Sequence, residues 1–370
     1  MTGMRRTPAR AMAAAAGLCL LLTSCGGGDD AAAGGSGGGG GAEPSGGGGE
    51  SMDDLYAAAQ EAGEDTVVVY GIKTGTACYD QFSETYSDIT VQTQYMVGET
   101  QARLQQEHVS GQNVGDVLRT GNTSMLALIQ DGILTEYVPA DVEGIPDAAY
   151  GPENAMINDS QRLSGIAYNS ANVPDADAPQ SWEDLVDPKF RGRIVMPDPT
   201  VPGAGLSILQ SLLDTGAVDE EWLEALAANE PALIQGVQPA IEALKTGEYD
   251  VMLGGLDQIT GPALEQGTDL RYVFPVEGAT PLTKHYTGVI TKAPHPNAAR
   301  LLTSWLVSEE GQTCLAEKET EMPVREGVAP PEGVPPLDEL PAVAEQKPAS
   351  FDELDAQTAL LQQFKQVFGR

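Results

Sequence analysis

Thr66-Val67-Val68-Val69-Tyr70 is a β-branched run, and over Ala77 to Tyr86 it is followed by Cys78, Phe82 and Tyr86 at helical spacing. A strand feeding a helix, each with apolar residues to bury, is the repeating unit of an α/β fold. The rhythm continues. Ile89 to Tyr95 reads as a strand, Gln101 to Ser110 as a helix, and Asp116-Val117-Leu118 as a short strand before a loop over Arg119 to Asn122. A parallel sheet with helical crossovers accounts for this order, because its short strands are buried on both faces. Further units run from Ser164 to Phe274, with strands near Ile166 to Asn169, Ile194 to Met196, Asp250 to Gly254 and Leu270 to Phe274. Val138 to Gln161, rich in Pro, Asp and Gly and lacking periodicity, is where the chain is expected to pass between lobes. From Met52 to Arg370 the chain exceeds the usual size of a single core, so two lobes are expected. After Pro281 come a strand at Tyr286 to Thr291 and helices at Asn297 to Val307 and Glu309 to Glu317. A proline-rich stretch from Glu326 to Gln346 leads to an amphipathic helix, Phe351 to Phe368, with Leu354, Leu360, Leu361, Phe364 and Phe368 on one side.

The start of the chain has a different character. Arg5, Arg6 and Arg10 precede an apolar run from Ala11 to Leu22 that is too short to span a bilayer, the layout of a secretory signal. The run ends in Leu22-Thr23-Ser24-Cys25, which resembles the bacterial lipoprotein box, and the resemblance implies that Cys25 is the lipidated first residue of the mature chain. The glycine-rich residues up to about 52 offer nothing to bury and read as a flexible tether reaching roughly 25 to 30 Å. The expected division is a leader over 1–24, the tether over 25–52, a first lobe over 53–160, a second over 161–285, a return to the first over 286–325, and an extended segment with a closing helix over 326–370.

The formal charge of −34 argues against nucleic acid and against a flat anionic membrane surface as partners. With Cys19 in the leader and Cys25 carrying lipid, Cys78 and Cys314 remain as an even pair in an oxidising compartment. A disulfide is the economical reading; two separately buried thiols are the alternative. Of the three histidines, His108, His285 and His295, none forms a His-Glu-x-x-His pair, no P-loop is found, and the one Gly-x-Ser-x-Gly string, Gly34 to Gly38, lies in the glycine-rich tether rather than at a strand-to-helix elbow. An enzyme is therefore not expected, and no cofactor or protein-held metal.

Several phrases are more specific. Ala178-Pro179-Gln180-Ser181-Trp182-Glu183-Asp184-Leu185, Asp187-Pro188-Lys189-Phe190-Arg191-Gly192-Arg193-Ile194, Ala293-Pro294-His295-Pro296-Asn297-Ala298-Ala299 and Ser308-Glu309-Glu310-Gly311-Gln312 resemble the solute-binding proteins of ABC importers, above all the ferric-binding family and its relatives. The resemblance covers Leu55 to about Arg325. It implies a two-lobed, periplasmic-binding-protein-like α/β clamshell with parallel-rich sheets and a hinge. It also implies a monomer that captures a small solute and delivers it to membrane permease and ATPase subunits; a sensory lipoprotein presenting solute to a receptor is the alternative of another class. The phrases themselves read as structural. Ser181 with Asp184 makes a capping-box-like start, and Trp182 is an apolar anchor.

Ligand contacts are expected on loops at the carboxyl ends of strands, where helix starts aim N–H groups into a cleft. Pro202-Gly203-Ala204-Gly205 lets a helix start approach an anion, because glycine carries no obstructing side chain. In the ferric relatives the matching turn meets the anion that accompanies iron. Their adjacent tyrosines, however, align with Asp257 and Gln258, and their carboxylate after the third strand aligns with Gly121, so bare ferric iron loses its main supports. Lys73, Arg119 and Lys284, with His285 beside the last, are scarce cations on three cleft loops and point to an anionic group on the ligand. Asp257 on the opposite lobe suits a ligand amine. Thr74, Glu99, Asn122, Gln258 and Tyr286 complete the expected contact set.

Overall fold

Period-two alternation explains how one apolar run serves two cores. The protein is seen here as a computed structural model that describes residues 50–72, 75–95, 99–254, 268–275, 278–340, 343 and 348–370. Strand β1 (Thr66–Gly71) lies between β2 (Thr90–Tyr95) and β3 (Val117–Gly121), parallel to both. Val67 and Val69 point to one face, where Val117 and Val289 join Cys78, Phe82, Leu302 and Trp305. Val68 and Tyr70 point to the other, with Leu118, Tyr286, Leu126 and Ile129. Helices α1 (Met52–Ala62), α2 (Thr76–Thr85), α3 (Thr100–Ser110) and α4 (Asn122–Gln130) supply part of these layers.

The first sheet is completed by β4 (Ile157–Leu163) and β10 (Leu282–Val289) in the order β2-β1-β3-β10-β4, with β10 antiparallel to both of its neighbours. The second sheet has the order β7-β6-β8-β5-β9, from β5 (Ile166–Asn169), β6 (Ile194–Pro197), β7 (Ala232–Ile234), β8 (Val251–Leu253) and β9 (Leu270–Val273). Its core joins Ile166, Ile194 and Leu253 to Trp182, Phe190, Leu209 and Trp222, drawing on α5 (Ala204–Asp214) and α6 (Glu220–Ala228). On the opposite face, α7 (Val237–Lys245) buries Ala240, Ile241 and Leu244 against Val195 and Met252. The Ser181 hydroxyl accepts from the Asp184 N–H at 3.3 Å while the Asp184 carboxylate accepts from the Ser181 N–H at 2.9 Å, which starts the turn that seats Trp182.

Two features differ from the sequence reading. The aperiodic stretch expected to link the lobes contains the start of β4, a strand of the first sheet whose residues are all buried. The chain changes sheets slightly later, between Leu163 and Ile166, and returns before Leu282. At the crossing, a Cβ on Gly165 would overlap the Tyr272 hydroxyl and come within 2.7 Å of the Val273 carbonyl oxygen, so only glycine fits. The strand was hidden because Asn158-Asp159-Ser160-Gln161-Arg162 carries no apolar alternation.

After β10 the chain forms α8 (Pro296–Val307) and α9 (Glu309–Glu319) on the first lobe. A disulfide joins Cys78 of α2 to Cys314 of α9, with Cα atoms 5.7 Å apart. The last helix, α10 (Phe351–Val367), touches both lobes. Phe351 and Leu354 pack on the first-lobe cluster, whereas Leu360, Leu361, Phe364, Val367 and Phe368 pack on the second. Burying Phe364 completely is worth about 2 to 3 kcal/mol, so the stronger seat is in the second lobe.

Candidate functional site

Helix starts differ in how they are capped. Away from the strand ends, side-chain oxygens of Ser51, Asp219 and Ser308 cap α1, α6 and α9, and the Glu64 carboxylate accepts the Asn297 and Ala298 N–H groups at the start of α8. At the end of β3, α4 begins directly after Gly121; beyond β6, α5 begins after Gly203; neither has a side-chain cap. The unpaired N–H groups of a first turn and the helix dipole favour an anion at such a place. Gly203 adopts φ 143°, and a Cβ on Gly205 would overlap the Pro197 carbonyl, so α5 starts hard against the end of β6. Ala204 is the first residue of that helix.

The first-lobe cations are divided between the two faces of the sheet. Arg119 lies within β3 rather than on a loop, fully buried, which corrects the expectation of a loop over Arg119 to Asn122. Its guanidinium donates to both carboxylate oxygens of Asp159 at 2.8 Å, to the Ser160 hydroxyl at 2.9 Å and to Glu321 at 2.5 Å. Arg162 donates to the other oxygen of Glu321 at 2.7 Å. Burial alone would raise the Glu321 carboxyl, but Arg119 and Arg162 overcome it and hold the group well below its ordinary value. His285 is buried on the same face, with Nδ1 3.5 Å from the Ser160 hydroxyl and 3.6 Å from Glu321. Burial pulls its pKa down, so the ring is neutral at neutral pH. These groups satisfy one another, and the charge that looked available to a ligand is balanced inside the first lobe.

The other face presents a different group. Lys284, expected on a loop with His285 beside it, lies with it inside β10, opposite Gln161 of β4; it stands one position beyond the last pairing of β10 with β3, His285 opposite Gly121, and thus beside Asn122. The Asn122 amide donates at 2.6 Å to the carboxylate of Glu353, which comes from α10. Burial lowers the Lys284 pKa and the Glu353 charge partly restores it. Burial raises the Glu353 pKa, Asn122 and Lys284 work against the rise, and Asp214 at the end of α5 adds to it. Tyr286, expected as a contact, is 1 % exposed in the first-lobe core, and burial pushes its phenol up. Glu99 is exposed at the start of α3, and the space beside Gly121 is open. Lys73, Thr74, Asp257 and Gln258, like Cys25, lie outside the described residues. Sequence reasoning missed Asp159, Glu321 and Glu353. The first sits in the unrecognised β4, and the last looks like an ordinary acid in a helix's first turn.

A two-lobed α/β protein with open helix starts at the strand ends of both lobes is built to hold a small solute. The chain belongs to the bacterial extracellular solute-binding protein family, whose pattern matches residues 73–318, and is a solute-binding component of the kind that serves ABC importers. It is 27% identical to Iron uptake protein A2 of Synechocystis sp. over 69% of this chain and 76% of that protein. It is also 27% identical, over 62% of this chain and 67% of the relative, to the putative 2-aminoethylphosphonate-binding periplasmic protein of Salmonella typhimurium. In fold it is similar to the periplasmic binding protein AfuA of Actinobacillus pleuropneumoniae with fructose-6-phosphate bound, at a TM-score of 0.71 and 20% identity over 82% of this chain and 98% of that one.

Proposed function

We propose that this protein is tethered to the cell membrane through a lipid on Cys25, captures a small anionic or zwitterionic solute between its lobes, and hands it to an ABC permease whose partner hydrolyses ATP. The observation that carries the reading is that α4 after β3 and α5 after β6 both start at a glycine with no side-chain cap, one in each lobe, at strand ends where a solute anion would meet backbone donors. Lys284 and Asn122 add a charge-assisted donor and an amide at the rim. One similar protein is named for 2-aminoethylphosphonate and another is solved with fructose-6-phosphate bound, and both ligands belong to this class. The iron uptake protein supports a second reading, a ferric ion or ferric chelate as cargo.

Thermal shift of the purified protein against phosphonates, sugar phosphates, amino acids, polyamines, thiamine and ferric citrate tests both. A ligand at 100 times its dissociation constant adds about 2.7 kcal/mol of stability. Lys284→Ala should weaken binding of the stabilising anion by about 1.5 to 3 kcal/mol, the scale of a hydrogen bond to a charged group. Stabilisation by ferric iron alone, with a visible tyrosinate band, would replace this reading with the second.

A further inference from the structure

Helix α10 carries an acid to the same donors on which the anion reading rests. Its C-terminal half is fixed in the second lobe by Phe364, while its first two turns meet the first lobe through polar pairs. Asn122 donates to Glu353 at 2.6 Å, and the Thr123 hydroxyl donates to Gln357, which is itself 4 % exposed. Lys284, adjacent on β10, feels the same carboxylate. Asn122 and Thr123 are the first residues of α4, so the contact sits at one of the uncapped helix starts at a strand end.

We propose that Glu353 is an internal competitor for the solute anion: its carboxylate holds the Asn122 amide, and a solute gains that donor, with the charge of nearby Lys284, by displacing it and loosening the first turns of α10 from the first lobe. This deepens the solute-anion reading and rests on it. The competition sets selectivity. A monocarboxylate offers no more than Glu353 already supplies, whereas a phosphonate or phosphate ester brings more acceptor oxygens and more charge, and a solute ammonium would pair with the displaced carboxylate. The charged and titratable groups facing Glu353 are Lys284 and Tyr286 from β10 and Asp214 from α5, so removing its charge leaves the lysine while easing repulsion from the aspartate.

Calorimetric titration of full-length protein with 2-aminoethylphosphonate, inorganic phosphate and acetate, together with hydrogen exchange over residues 351–358, tests the proposal in wild type and Glu353→Gln. The variant should bind a phosphonate or phosphate about 3- to 10-fold more tightly. Exchange over 351–358 should rise in the variant and, on adding the probe, in the wild type, with 360–367 unchanged in both. A probe bound by the wild type and no more tightly by the variant overturns the competitor role and leaves the solute-anion reading standing. No binding of any probe by either protein overturns both.

Discussion

Arg119 illustrates why a lone cation in an acidic chain is a poor guide to ligand contact. Fully buried, it is matched by Asp159 and Glu321 on elements 40 and 202 residues away in sequence. Arg119→Met leaves the buried Asp159 carboxylate without its cation and Glu321 with Arg162 alone, so it should lower stability by about 3 to 5 kcal/mol in chemical denaturation. A loss below about 1 kcal/mol would show that the cluster is not what holds β3, β4 and β10 together. The same cluster gives a pH dependence. His285 has a folded pKa below its ordinary 6.5, so the unfolded chain binds protons first and stability begins to fall below about pH 6.5. Glu321 has a folded pKa far below its ordinary 4.5; its contribution is complete above that value and is lost as pH drops further toward the folded pKa. Melting temperature measured from pH 7.5 to 3.5 should therefore decline in two stages, and His285→Gln should remove the first.

At the scale of elements, the disulfide ties α2, near the beginning of the first lobe, to α9, which follows the return from the second. It closes a loop of 236 residues around the whole second lobe and so restrains a large part of the unfolded chain. Replacing Cys78 and Cys314 together by Ser should cost about 2 to 5 kcal/mol, read as a lower denaturation midpoint that reductant no longer shifts. A midpoint equal to that of the oxidised wild type would mean the packing of α2 on α9 suffices by itself. The two helices also meet through polar contacts, since the Ala77 N–H donates to Glu319 at 2.9 Å and Lys318 donates to Gln81 at 2.7 Å.

For the whole molecule, the closure proposed around a solute has to be accommodated where the described residues change sheets, as at the tight crossing at Gly165. Helix α10 is seated on both lobes, which places Glu353 where the proposed competition would register a solute between them. The proposed attachment to the membrane is tested at the same scale. Cys25→Ser should move the protein from the detergent phase to the aqueous phase on partitioning, and unchanged retention would refute lipid attachment at that residue.

The strands at Val67 to Val69 and Ile194 to Met196, the helix over Asn297 to Val307 and the α10 apolar stripe were legible in the sequence because period and β-branching act within a few residues. The even cysteine count likewise pointed to Cys78 and Cys314. The destination of the charges was settled by tertiary structure alone. Alternation along β10 sends His285 to one face and Lys284 to the other, and only the antiparallel register with β3 and β4 decides which face meets Arg119, Asp159 and Glu321 and which meets α10. Burial and pairing of ionic groups depend on partners tens to hundreds of residues distant, brought within 3 Å by packing, and no local pattern records such neighbours.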